Sequence, residues 1–232
     1  MSLRIDILTL FPEMFGAVLG TSIPKRAGEK GLVEYHLTNL RDFATDAHQS
    51  VDDKPFGGGP GMVMMAPVVF DAVEQVEKRD PRTARRILLT PAGERFDQAV
   101  AQELASSERL LLIAGHYEGF DERIVAGLSP MELSIGDYVL SGGELPAMVV
   151  VDAVVRLLPG AIGAEDGAAD ETFTDGLLEH PQYTRPRDFR GMSVPDVLLS
   201  GNHAAIAAWR KQQREIRTRE RRPDLWQRYL DR

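Results

Sequence analysis

Residues 86–90 and 109–115 read RILLT and RLLLIAG, two short runs that are apolar at successive positions instead of alternating. A strand with one wet face alternates, whereas a strand covered by helices on both faces is apolar throughout. Outward from this pair (Arg86–Thr90 and Arg109–Ala114), candidate strands are Leu3–Phe11, Val33–Leu40 and Met131–Ile135. Helical spacing marks Pro67–Lys78, Phe96–Ser106, Asp121–Gly127 and Glu144–Leu158. Alternation of strand and helix predicts an α/β fold with a parallel sheet, whose ligands sit where loops leave the carboxyl ends of the strands.

The 232 residues are 43% hydrophobic and 27% charged, values that support a packed core. No run is long and apolar enough to cross a bilayer, and MSLRIDILTLFPEMF lacks the basic region and cleavage site of a secretory signal. The absence of cysteine excludes disulfides, thiolate zinc sites and cysteine nucleophiles, and a cytoplasmic location with no membrane partner is expected. The net charge of −8 conceals a split: residues 180–232 carry 12 Lys/Arg against 6 Asp/Glu, and the remainder 15 against 29. Such asymmetry hints at a nucleic-acid partner, although 209–222 (WRKQQREIRTRERR) alone reads equally as a solvated helix face. Residues 161–179 contain six acids and no base, the composition of a linker. The expected organisation is an α/β domain over 1–160, an acidic then basic linker over 161–190, and a small all-α basic domain over 191–232.

Four loops are rich in glycine or proline: VDDKPFGGGPGM (51–62), LLTPAG (88–93), AGHYEGFD (114–121) and SIGDYVLSGG (134–143). Any one of them reads as a tight turn. Three follow candidate strands and gather at one sheet edge, where glycines let backbone amides approach a ligand. No G-x-G-x-x-G, P-loop or G-x-S-x-G motif is present, which disfavours dinucleotide, NTPase and hydrolase sites. The histidines have no metal-ligand spacing, and His116 reads as a solvent-facing loop residue. A pocket of backbone groups with Leu, Ile and Tyr suits an adenosine ligand.

Taken together, SIGDYVLSGGELPAM (134–148), GGGPGMVM (57–64), GHYEGFDER (115–123), HPQYTRP (180–186) and VLLSGNHAAIAAWR (197–210) resemble the bacterial TrmD family over nearly the whole chain. The resemblance implies methylation of guanosine N1 at tRNA position 37 with S-adenosylmethionine. It also implies a SPOUT-class domain with a C-terminal trefoil knot, and an obligate homodimer whose active sites draw on both subunits. By family position the cofactor pocket is Leu88, Leu89, Thr90 and Pro91; Gly115, Tyr117, Glu118 and Gly119; and Ile135, Gly136, Asp137, Tyr138, Val139, Leu140, Gly142 and Gly143. Thr90 stands where the family often has Ser, and His116 where Arg is common.

Asp52, Asp53 and Gly57–Gly61, Gly59 and Gly61 among them, would face the tRNA. Arg185, Arg187, Arg190, Arg210, Lys211, Arg214 and Arg217 are candidate phosphate contacts. Removal of the N1 proton needs a carboxylate, and charge developing on O6 needs a cation. Family position makes the cation Arg156, otherwise readable as an ordinary helix residue. The family's linker aspartate falls on Glu171, with Asp170 one residue earlier and Asp175 nearer Gly-Leu-Leu. A dependence on magnesium is also implied, with Glu118 a conceivable contributor and no cage of ligands in the sequence. The alternatives are a SPOUT methyltransferase for another RNA, which would need neither VDDKPFGGGPGM nor the linker carboxylate, and a non-catalytic RNA-binding regulator.

Overall fold

The computed structural model describes residues 2–163, 172–173 and 175–231. Asp170 and Glu171, with Glu165 and Asp166, lie outside the described residues. The chain divides into two units, Met1–Gly163 and Ala164–Arg232. The first runs β1 (Leu3–Thr9), α1 (Gly16–Leu19), α2 (Ser22–Glu29), β2 (Val33–Asn39), β3 (Asp52–Asp53), β4 (Val63–Met64) and α3 (Ala66–Glu77). It continues with β5 (Arg85–Arg95), α4 (Gln98–Ala105), β6 (Arg109–Ala114), α5 (Glu122–Leu128), β7 (Met131–Ser134) and α6 (Glu144–Val155).

Five strands form the expected parallel sheet in the order β2-β1-β6-β5-β7. The apolar runs of the sequence divide by period two between its faces. Ile5, Ile7, Ile87, Leu89, Leu110 and Leu112 pack with Leu104 of α4 and Val150, Val151 and Val154 of α6. Their alternates Leu8, Leu88, Leu111 and Ile113 pack with Val69, Val73 and Val76 of α3 and Ile124 of α5. Two helical layers around one sheet therefore account for strands with no polar face.

One edge of the second core is held by charge. The Arg109 side chain is 0% exposed, and its Nε donates to Asp6 Oδ2 at 2.8 Å. Its other nitrogens donate to the carbonyls of Val76, Glu77, Asp80 and Arg82 at 2.7–3.1 Å. These include the last carbonyls of α3, Val76 and Glu77, which also accept from Arg79 N and Asp80 N just past the helix. Asp6 is also paired with Arg4 at 2.8 Å. A single guanidinium thus ties β1, β6 and the end of α3 together.

The structure departs from the sequence expectation in several places. β5 continues past Thr90 to Arg95, and its pairing with β7 jumps register between Leu89 and Glu94, so residues 90–93 bulge out of the sheet. Pro91 and Gly93 signal a turn locally, yet both belong to this bulge. A Cβ at Gly93 would overlap the backbone of Glu132 and Leu133, so only glycine lets the bulge close on β7. Sequence reading also passed over α1, α2 (SIPKRAGE, which holds Pro and Gly and little apolar periodicity) and the two-residue strands β3 and β4.

The second unit contains a tight hairpin, β8 (Asp188–Phe189) with β9 (Met192–Ser193), before α7 (His203–Arg221) and α8 (Pro223–Leu230). Arg190 and Gly191 take φ of 56° and 77° at its turn, the left-handed pair that suits a two-residue hairpin. Helices are joined here by a small ribbon that composition had not suggested. Asn202 caps α7, its side chain accepting from Ala205 N at 3.1 Å.

Replacement of Arg109 by Leu should destabilise the protein by about 3–5 kcal/mol, because the buried Asp6 keeps only Arg4 as its cation and four carbonyls lose their shared donor. Urea denaturation followed by circular dichroism measures this. A loss under 1 kcal/mol would show that the cluster is dispensable.

Candidate active site

The bulge after Leu89, the loop after β6 and the loop after β7 meet at the carboxyl end of the sheet around a cleft of about 420 Å³. The first loop contributes Leu89, Thr90 and Pro91, and the second Gly115, Tyr117, Glu118 and Gly119. The third contributes Ile135, Gly136, Tyr138, Val139 and Leu140, with Gly142 and Gly143 behind them. Of the expected pocket residues, Leu88 and Asp137 do not line it. Leu88 is 1% exposed and faces the core under α3, as its alternation with Leu89 requires, and Asp137 is exposed. Ala92, His116, Phe120, Ser134 and Ser141 of the same loops also line the cleft, with Leu133 and Pro146 beside them.

Close packing holds the two deeper walls together. Gly143 N donates to Gly115 O at 2.7 Å, and a Cβ on Gly143 would lie 2.8 Å from Ala114 Cα. His116 forms an antiparallel bridge with Gly142. The third loop folds on itself, with Gly136 N donating to Ser134 Oγ at 3.3 Å and Tyr138 OH to Ile135 O at 3.3 Å. The outer wall is apolar and open, Tyr138 and Val139 being exposed.

The loop expected to face RNA is stitched to this cleft. β3 and β4 form a small antiparallel ladder, Asp52 opposite Met64 and Asp53 opposite Val63. Glu118 N donates to Met62 O at 3.0 Å, Met64 N to Gly119 O at 2.9 Å and Asp121 N to Met64 O at 3.0 Å. The intervening Gly57, Gly58, Gly59 and Gly61 all take positive φ. Burial, and then the Asp52 carboxylate bonded to it, push the Tyr117 phenol above its usual range, and Arg41 opposes them. Tyr117 therefore lines the cleft and is also coupled to Asp52 of that loop.

Arg156 follows the last turn of α6, its N–H donating to Asp152 O at 3.2 Å. Twelve residues at 1.5 Å each separate it by about 18 Å along the axis from Glu144 at the cleft end. Among the described residues no group of three His, Asp or Glu gathers to hold a metal ion.

Within the second unit, Arg185, Arg187 and Arg210 line a separate hollow of about 470 Å³ with His180 and Tyr183. Arg187 pairs with Asp196 at 3.0 Å, Lys211 with Glu215 at 4.0 Å, and the Arg190 guanidinium stacks on Phe189 at 5.1 Å. Arg217 lies on the same helix, α7, with its Nε buried. Arg214 is only 15% exposed and is paired with Asp175. Burial alone would raise the Asp175 carboxyl, but Arg214 and the Leu177 amide outweigh it and hold it below the usual carboxylate range. The neighbouring Leu178 N donates to Thr218 Oγ1 at 2.9 Å, so residues 175–178 are fastened to α7.

A family model described as tRNA (Guanine-1)-methyltransferase TrmD matches residues 3–228 of this chain. Among curated proteins it is similar to the tRNA (guanine-N(1)-)-methyltransferase of Moorella thermoacetica, 58% identical over 96% of this chain and 90% of that protein. The protein of that name in Geobacillus kaustophilus is 59% identical over 98% and 93%, and that in Listeria welshimeri 55% identical over 98% and 93%.

A methyl group at position 143 must displace the backbone at Ala114, so Gly143→Ala should cost about 1–3 kcal/mol by overpacking. Thermal melting checks it, and a variant that melts with the parent would show that the two walls have slack.

Proposed function

The chain belongs to the tRNA (guanine-1)-methyltransferase TrmD family, and on that premise we propose that it methylates N1 of guanosine 37 of tRNA, with S-adenosylmethionine held in the cleft between the three strand-end loops. The observation that carries this reading is the convergence of those loops, each from a different parallel strand, around about 420 Å³. Pockets of roughly 300–1,000 Å³ hold small ligands. The lining fits an adenosine: glycine backbone on the deep walls, and Leu89, Ile135 and Leu140 to cover the base. Bound S-adenosylmethionine supplies the electrophilic methyl group.

The chain's own residues have two tasks, taking the proton from N1 and stabilising charge on O6. Arg156 suits the second. Its distance from the cleft along α6 supports a site completed by another copy of the chain. The helix supports the same view, because Leu145 and Val149 are exposed while Val150, Val151 and Val154 are buried. Leu145 and Val149 leave an apolar patch beside the exposed Asp152 on the outer face, a patch suited to a partner, and we assign that partner as a second subunit in a homodimer. For the first task Glu171 is preferred, with Asp170 the alternative, since Asp175 is engaged by Arg214.

The path from edge strand β7 back over the sheet to α6, which packs on the β1 and β6 side, supports the trefoil knot expected of the SPOUT class. The Asp52–Gly61 loop, stitched to Glu118 and Gly119, is proposed to receive the guanosine pair at positions 36 and 37. Arg185 and Arg210 are proposed as phosphate contacts, with Lys211. Arg214 serves the fold of its own unit first. A cytoplasmic location follows from the substrate, and magnesium would have to be held with help from tRNA or water, Glu118 being the nearest candidate carboxylate in the cleft.

Labelled S-adenosylmethionine and tRNA transcripts with and without guanosine at 36 and 37 test the reaction, and product at any other position would reject it. Glu171→Ala is expected to lose methyl transfer by 10²-fold or more, the range of a general base, while still binding S-adenosylmethionine. Near-normal turnover there with an inactive Asp170→Ala moves the role one residue. Subunit sharing is checked by mixing Glu171→Ala with a cleft-filling Ala92→Trp variant. Heterodimers should recover activity at one of their two sites, and no recovery would place each site within a single chain.

A further inference from the structure

Glu144 is the first residue of α6 and its side chain is 1% exposed, although it does not line the cleft. An ionised carboxylate is costly to bury unless its oxygens are engaged. Thr9 Oγ1 donates to one oxygen at 2.7 Å, and His116 Nε2 lies 2.9 Å from the other. The position at the helix N-terminus adds the attraction of the unpaired amides there. The three residues come from the end of β1, the loop after β6 and the start of α6, so the carboxylate joins segments more than a hundred residues apart.

Each partner is itself fixed. Thr9 is 0% exposed and its hydroxyl accepts from Phe11 N at 3.0 Å, which turns its proton toward Glu144. The His116 ring meets the Phe11 ring edge-on at 4.9 Å. The chain at Gly142 passes so close to His116 and Glu144 that a Cβ there would collide with both. His116 belongs to one wall of the cleft and Gly142 and Gly143 to the other, and the Gly143 amide bonds to Gly115 O. Because Nε2 is occupied by Glu144, only Nδ1 of His116 is left to face any other group.

We propose that Glu144, held by Thr9 and His116, is a buried latch that sets the spacing of the two deep walls of the cleft, with all three acting as positioning residues. The proposal rests on the cleft being the S-adenosylmethionine site. His116 sits on a loop, and glutamine can place an amide N–H where the imidazole places Nε2–H. Calorimetric titration of the full chain with S-adenosylmethionine should show about tenfold weaker binding in His116→Ala, the loss expected of one hydrogen bond to a charged group. His116→Gln should return to within about threefold of the parent on the same scale.

Thr9→Val alters a residue outside the cleft and removes the bond to Glu144 together with the one from Phe11 N, so a weakening there reaches the cleft through the latch and not through a lost ligand contact. In parallel, hydrogen exchange at the Gly143 amide should speed in His116→Ala and Thr9→Val and slow again in His116→Gln. Parent-like affinity and exchange in His116→Ala, or an equal loss in His116→Gln, overturns the latch. A parent chain that binds no S-adenosylmethionine instead rejects the assignment of the cleft, and the exchange rates then decide the latch alone.

Discussion

The architecture depends on backbone pressed against backbone at the carboxyl end of one sheet. Three chain segments have to cross there, and they do so at Gly93 against Glu132 and Leu133 and at Gly143 against Ala114. A side chain at either point would push strand from strand. Protein interiors are packed too densely to absorb that displacement. The cleft exists because these crossings hold its walls at a fixed separation while the residues between them, Thr90 to Ala92 and all of Ile135 to Ser141 but Asp137, remain free to line it.

Much of this was legible in the sequence, for a definite reason. Apolar runs such as 110–113 must face two cores, and the structure divides them between α6 and α3 by simple alternation. The clustering of three glycine-bearing loops followed from the parallel order of their strands. Residues whose role depends on distant partners could not be read in this way. Nothing local to Arg109 announces that its guanidinium will collect four carbonyls and a carboxylate. Glu144 looks like an ordinary first-turn acid, and His116 like a surface histidine, until the end of β1 brings Thr9 to the same carboxylate. The same limit explains Leu88, assigned to the pocket by family position but turned into the core by the pleat.

Charge was legible as an average and misleading in detail. The basic tail is real, yet its members divide their duties. Arg214 is taken up by Asp175, whereas Arg185, Arg187 and Arg210 border a hollow with Tyr183, Arg187 while also paired with Asp196 at the surface. Composition cannot separate a cation that builds a unit from one that awaits a polyanion, because the difference lies in the partner.

The three backbone bonds between residues 62–64 and 118–121 carry a thermodynamic meaning beyond geometry. A ladder of that kind makes the two loops one body, so neither can be ordered without the other. A ligand that stiffens one loop lowers the entropic cost met by a ligand arriving at the other, and linkage makes the benefit mutual. With S-adenosylmethionine and tRNA at the sites proposed for them, the two would assist each other's binding through the loss of a shared motion.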